Sequence, residues 1–138
     1  MKKAVSLILV CTILLMFSVT AFAAMESNAY IASYGAQISN PSSGIVRVDF
    51  NVYCMDYMSS LGASSIVLYE NGVPVKTFSM YDPLYTAAMV TTNDDWFYGH
   101  VTYSANSGST YTAIVSVFAT DGYGSGSESC PAGSVYIP

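Results

Sequence analysis

The chain has 138 residues, with only four Lys or Arg against nine Asp or Glu, a net charge of −5. That length carries one domain around a single core. So few cations exclude nucleic acid and anionic membrane as partners, because both bind through clustered Lys and Arg that displace counterions.

Residues 1–24 read as an export signal. Lys2 and Lys3 give a basic start, an apolar run from Leu7 to Phe17 is interrupted only by Cys11 and Thr12, and Ala21 and Ala23 have the small-residue spacing that signal peptidase cleaves. A membrane anchor is the competing reading, but the small residues at its end and the missing basic cluster behind it favour cleavage. Cys11 follows Leu9 and Val10, where a lipid-attachment cysteine would follow a small residue, so lipidation is not expected. Residues 25–138 are then the mature domain, secreted or loosely held at the cell surface. Its only cations are Arg47 and Lys76, which against all nine acidic residues leave a net charge of −7. Losing the leader also leaves two cysteines, Cys54 and Cys130, in a compartment that permits oxidation. One disulfide is expected, with two free thiols as the alternative.

All twelve tyrosines and the single tryptophan, Trp96, lie in the mature part among many Ser, Thr, Gly and Asn residues, a β composition. AYIASYGAQIS alternates weakly and reads as a first edge strand, ended by Asn40-Pro41-Ser42. In GIVRVDFNVYC, Val46, Val48, Phe50, Val52 and Cys54 share one face and Arg47, Asp49, Asn51 and Tyr53 the other, the mark of a half-buried strand. MDYMSSLGAS, from Met55 to Ser64, reads as a loop with room for one helical turn. Asn71-Gly72 between two short apolar runs predicts a hairpin of strands Ser65 to Glu70 and Val73 to Phe78, since both turn residues tolerate positive φ. The stretch from Ser79 to Asp95 is bounded by Pro83 and TTNDD and holds either one poorly aligned strand or a long excursion. WFYGHVTYSA resumes alternation with Phe97, Val101, Tyr103 and Ala105 inward. After an NSGS turn, Tyr111, Ala113, Val115, Val117 and Ala119 share the inward parity of the next strand. DGYGSG turns into a last strand whose Pro131 cannot donate to a ladder and so belongs on an edge. About seven short strands without a helix of useful length predict an all-β fold, an antiparallel sandwich.

The segment SGSTYTAIVSVFATDGYGSGSES resembles the end of a fibronectin type III or immunoglobulin-like domain. Tyr111 takes the place of the tyrosine corner near the start of the penultimate strand, with Gly108 before it and Ala119, Gly122 and Gly124 where that strand and its hairpin fall. The resemblance implies an immunoglobulin-like, fibronectin type III-like sandwich. In such a fold Cys54, ending the second strand, and Cys130, beginning the last, lie toward the same end, which suits a disulfide. YIASYGAQIS, IVRVDFNV, MSSLGASSIVLYENG and YTAIVSVFA, in this order, also resemble an uncharacterised family of small secreted proteins of Gram-positive bacteria. That resemblance implies compartment and fold and no activity.

Catalytic and metal chemistry find little material. His100 is the only histidine, lies outward by parity and has no nucleophile motif beside it. A zinc site would need carboxylates besides it and the two cysteines. Asp94 and Asp95 before Trp96 suggest a glycosidase pair or a calcium site, yet neighbours on an extended chain point to opposite faces, and solvated loop charge is the plainer reading. No catalytic residue, metal or cofactor is assigned. Tyr57, Tyr81, Tyr85, Tyr98 and Tyr123 fall in loops or at strand ends, and tyrosine offers contact area at low entropic cost while neighbouring Ser, Gly and Asn adapt their hydrogen bonds. The expected function is a non-enzymatic binding module for an extracellular protein or carbohydrate. Its site is Tyr57 and Tyr123 at one end of the sandwich, followed by Trp96 with Asp94 and Asp95. Two alternatives stand beside it: a self-associating structural protein using outward Ile114 and Phe118, and a small hydrolase using Asp residues.

Overall fold

Strict alternation builds the centre of the first sheet. In β2 (Ile45–Met58) the side chains of Val46, Val48, Phe50, Val52 and Cys54 are buried, while Arg47, Asp49, Asn51 and Tyr53 face outward. A computed structural model describes residues 29–138; the expected signal segment and its expected cleavage point lie outside the described residues. β2 pairs antiparallel with β1 (Ser33–Ser42) on one side and β6 (Asp94–Ser104) on the other, giving a sheet of order β1-β2-β6.

The second sheet has the order β4-β3-β7-β8, formed by β3 (Ser60–Glu70), β4 (Val73–Ser79), β7 (Thr110–Thr120) and β8 (Ser125–Tyr136), with short β5 (Val90–Thr91) also paired to β3. The result is an antiparallel, all-β sandwich. Its core lies between Val46, Val48, Phe50 and Val52 of one sheet and Ile66, Leu68, Val115 and Val117 of the other. Each such side chain, fully buried, contributes roughly 1.5–3 kcal/mol of transfer free energy. The β3-β4 hairpin turns at Asn71 and Gly72, both with positive φ (50° and 83°), as their chemistry predicts. Tyr111 is completely buried, and its hydroxyl accepts the Asn106 N–H at 2.8 Å, five residues upstream, the bond expected of a tyrosine corner.

Three expectations need correction, and one open alternative is decided. MDYMSSLGAS is not a loop: β2 continues to Met58 and β3 starts at Ser60. The extra length is absorbed by a bulge, because Tyr53 opposes Trp96 but the next pair is Met58 with Asp94, so residues 54–57 face a single residue of β6. The first strand runs through Asn40-Pro41 to Ser42, and the chain reverses at Ser43-Gly44, where Gly44 has a φ of 71°. Of the two alternatives for the stretch from Ser79 to Asp95, the structure shows the excursion, with turns, a four-residue helix α1 (Thr86–Met89) and β5. It docks where side chains are missing, since a Cβ at Gly62 would overlap the Met89 carbonyl and one at Gly99 the Ala88 carbonyl. Lastly, Cys54 and Cys130, expected to pair, are not bonded to each other in this structure. Cys54 is a buried and Cys130 a half-buried free thiol. β8 begins at Ser125, so Cys130 lies inside it opposite Val115 instead of at its start, while Cys54 lies in the bulge past the last regular pair of β2.

Candidate functional site

The outer face of the three-stranded sheet collects what the first-strand and second-strand polar positions and the outward parity of β6 supply. Across the strands, the register gives the rows Ser33, Tyr53 and Trp96; Gly35, Asn51 and Tyr98; Gln37, Asp49 and His100; and Ser39, Arg47 and Thr102. At about 4.8 Å between strands and about 3.4 Å per residue along them, this face is about 10 Å wide and 20 Å long.

Three aromatic rings occupy one end of it. Tyr53 and Trp96 are directly opposed, which puts their Cβ atoms about 5 Å apart, and Tyr98 follows about 7 Å along β6. They are 49%, 56% and 47% exposed, so about half of each residue is open to solvent. Tyr98 is also held by its hydroxyl, which accepts from Arg47 Nη2 at 3.0 Å and donates to Asp49 Oδ1. Arg47 Nε closes the triangle on the same oxygen at 2.7 Å. The hydrogen bonds from Arg47, to Asp49 first and Tyr98 second, raise the guanidinium pKa further, keeping the cation permanently present and locally neutralised. Beside this triangle a depression of about 200 Å³ is lined by Gly35, Gln37, Asp49, Asn51 and Tyr98, with the β-strand backbone of Ala36 and Phe50 in its wall. Gly35 is what opens it: a Cβ there would already stand 3.1 Å from Asn51 Oδ1.

The residues singled out from the sequence are only partly together. Tyr57, in the bulge, and Tyr123, at the tip of the β7-β8 hairpin, do share one end of the sandwich, where Ser59 Oγ donates to the Thr120 carbonyl at 2.8 Å. Both are far out in solvent, at 73% and 101% exposure, so neither caps the core. The hairpin backbone beneath Tyr123 is nevertheless set, because Asp121 Oδ1 accepts from the N–H groups of Tyr123 and Gly124 at 2.8 and 2.9 Å. These two bonds, that of Tyr123 the larger, hold the Asp121 carboxyl below the ordinary aspartate range. Asp94 and Asp95 open β6. Asp94 Oδ1 accepts the Asp95 N–H at 2.9 Å, and Asp95 faces the region of Cys54, whose thiol burial pushes up first and that carboxylate second. Trp96 is the one member of the expected site on the aromatic face; Tyr98, grouped with the loop and strand-end tyrosines, lies within β6 two residues beyond it. Tyr85, grouped with the loop tyrosines, is half-buried and meets Phe78 edge-on at 4.9 Å.

Tyr53, Asp49, Arg47, Asn51, Gln37 and Gly35 were missed as site residues. The alternation of β2 and the i, i+2 spacing of Trp96 and Tyr98 already gave each its outward side, but their adjacency depends on a β2-β6 register spanning some fifty residues of chain. Among the described residues, no group of three or more His, Cys, Asp or Glu side chains is placed to hold a metal ion. Comparison with protein-family models, with curated proteins and with solved structures gives no match.

Proposed function

We propose that the mature chain is an exported, non-enzymatic binding domain of fibronectin type III-like architecture whose recognition surface is the outer face of β1-β2-β6. The observation that carries this reading is the cluster of half-open rings, Tyr53, Trp96 and Tyr98, at one end of the sheet face, with Tyr98 hydrogen-bonded in the wall of a polar depression. A ring held before contact loses little entropy on binding, which favours a face that includes Tyr98 over the far-exposed Tyr57 and Tyr123. The strand order and the Tyr111 corner support the architecture, and the leader supports export. Binding is favoured over catalysis because Asp49, although opposite His100, is engaged by Arg47 and Tyr98.

The test is an array of immobilised extracellular glycans and proteins probed with the wild-type domain and with Trp96→Ala, Tyr53→Ala and Tyr57→Ala/Tyr123→Ala. Retention of a partner by the wild type, with at least about tenfold weakening in the two sheet-face variants, supports the assignment. Weakening only in the Tyr57/Tyr123 variant moves the site to the sandwich end. Intact mass of the protein from culture medium, starting near Ala24 or Met25, tests export.

A second reading has one observation in its favour. On the opposite sheet Ile114, 43% exposed, adjoins Tyr69, Pro131 and Gly133 around a largely apolar depression of about 560 Å³. A concentration-dependent sedimentation coefficient that Ile114→Lys abolishes would establish self-association through that face.

A further inference from the structure

The chemistry of the sheet face narrows its occupant, on the premise that this face is the binding surface. We infer that it takes a neutral, extended polysaccharide of equatorially linked pyranose rings, lying along β6 with sugar faces on Trp96, Tyr53 and Tyr98 and hydroxyls on Asp49, Arg47 and Asn51. Three independent features of the face point to this ligand.

The first is shape. All three residues are about half exposed on a surface about 20 Å long, well short of Tyr57 and Tyr123 at the sandwich end. A protein partner is held by anchors that fill pockets, whereas a sugar meets an aromatic ring through the electron-rich face of its π-system. The axial C–H bonds of an equatorially substituted pyranose carry the complementary partial positive charge, and such a chain is flat enough to meet successive rings. Trp96 and Tyr53 side by side, with Tyr98 about 7 Å further on, form a platform longer than one sugar.

The second is hydrogen-bonding type. Sugar hydroxyls both donate and accept, and so do the groups in and beside the depression: a lining carboxylate, the guanidinium bonded to it, and the lining amides of Asn51 and Gln37. The Arg47–Asp49–Tyr98 triangle fixes the first two, so they are presented to a ligand without further ordering. Gly35 keeps the depression open between them.

The third is charge. Arg47 is paired with Asp49, and the chain's other described cation, Lys76, lies on the other sheet with its ammonium 5.6 and 5.3 Å from the Phe78 and Tyr85 rings. Against the net negative charge of the chain, a polyanionic glycan would be repelled without any unpaired cation on the face to hold it. A neutral chain meets no such cost.

Calorimetric titration of the folded domain with cellohexaose and chitohexaose, and with polygalacturonate as the anionic control, tests the inference. Expected are saturable binding of at least one neutral hexamer, no binding of polygalacturonate, and weakening of about tenfold or more in Trp96→Ala and in Gly35→Val, which fills the depression and leaves every ring in place. Circular dichroism and urea midpoints establish that the variants are folded, and Tyr81→Ala, an exposed ring remote from this face, should bind as the wild type does. In the wild type, the emission of Trp96, the only tryptophan, should shift with the same saturation curve. Absence of binding to both neutral hexamers, binding of polygalacturonate with equal affinity, or binding indifferent to both variants overturns the sugar assignment. A protein partner from the array that Trp96→Ala weakens, or self-association that the same variant abolishes, also overturns it while leaving the sheet face as the binding surface.

Discussion

The buried hydroxyl of Tyr111 should be worth a measurable part of the domain's stability. Tyr111→Phe keeps the ring, which sits 6.1 Å from that of Tyr103, and removes one oxygen. That oxygen accepts the Asn106 N–H at 2.8 Å, tying the β6-β7 connection to the start of β7. Removing a buried partner costs about 1–3 kcal/mol, because the group left behind stays desolvated, so about 2 kcal/mol is expected. For a domain of this size that lowers Tm by about 8 °C. Urea unfolding followed by circular dichroism and Trp96 emission should show a lower midpoint at unchanged m value, since the surface exposed on unfolding is the same. Asn106→Ala supplies the control. It deletes the amide that donates to Glu70 at 3.0 and 3.3 Å but keeps the backbone N–H, and should cost clearly less. A Tyr111→Phe variant within about 0.5 kcal/mol of wild type, or an Asn106→Ala variant equally damaged, would refute the corner as the source of the stability.

Acid should loosen the same corner. Hydrogen bonds from Ser109 (2.7 Å) first and Asn106 second hold the Glu70 carboxyl below its ordinary 4.5, so the unfolded chain takes up the proton first and stability falls as pH drops below about 4.5. Urea midpoints between about pH 6 and pH 3 should fall less steeply in Glu70→Gln than in wild type; parallel curves would contradict this. Burial raises both thiols, so neither Cys54 nor Cys130 should alkylate at neutral pH in the folded protein, whereas after denaturation without reductant both should, each adding its label to the intact mass. A denatured chain that stays unlabelled would restore the disulfide. Gly99→Ala should cost about 2 kcal/mol and dislodge α1, because the added methyl would overlap the Ala88 carbonyl and stand 2.6 Å from Phe50 Cζ; amide exchange across residues 86–91 should accelerate selectively. Protection unchanged there would show that the excursion is not held by contact with β6.

What the sequence determined by itself is local and two-sided. Alternation from Val46 to Cys54 and from Tyr111 to Ala119 assigned inward and outward faces correctly, and Asn71-Gly72 specified its turn, because side-chain direction in a strand repeats every two residues and turn φ depends on the residues in the turn. The same parity sent Trp96, Tyr98 and Arg47 outward. Parity names a face without naming a neighbour, however. Only the β2-β6 register put Tyr53 against Trp96 and Tyr98 within reach of Arg47 and Asp49, and a slip of one residue would have turned one of those rows into the core. Tertiary packing also decided the bulge at residues 54–57, the mid-strand position of Cys130, and the course of residues 79–91, whose apolar residues find their place over Gly62 and Gly99. Those outcomes rest on which backbones can approach one another across the sandwich, and no local preference of the chain encodes that.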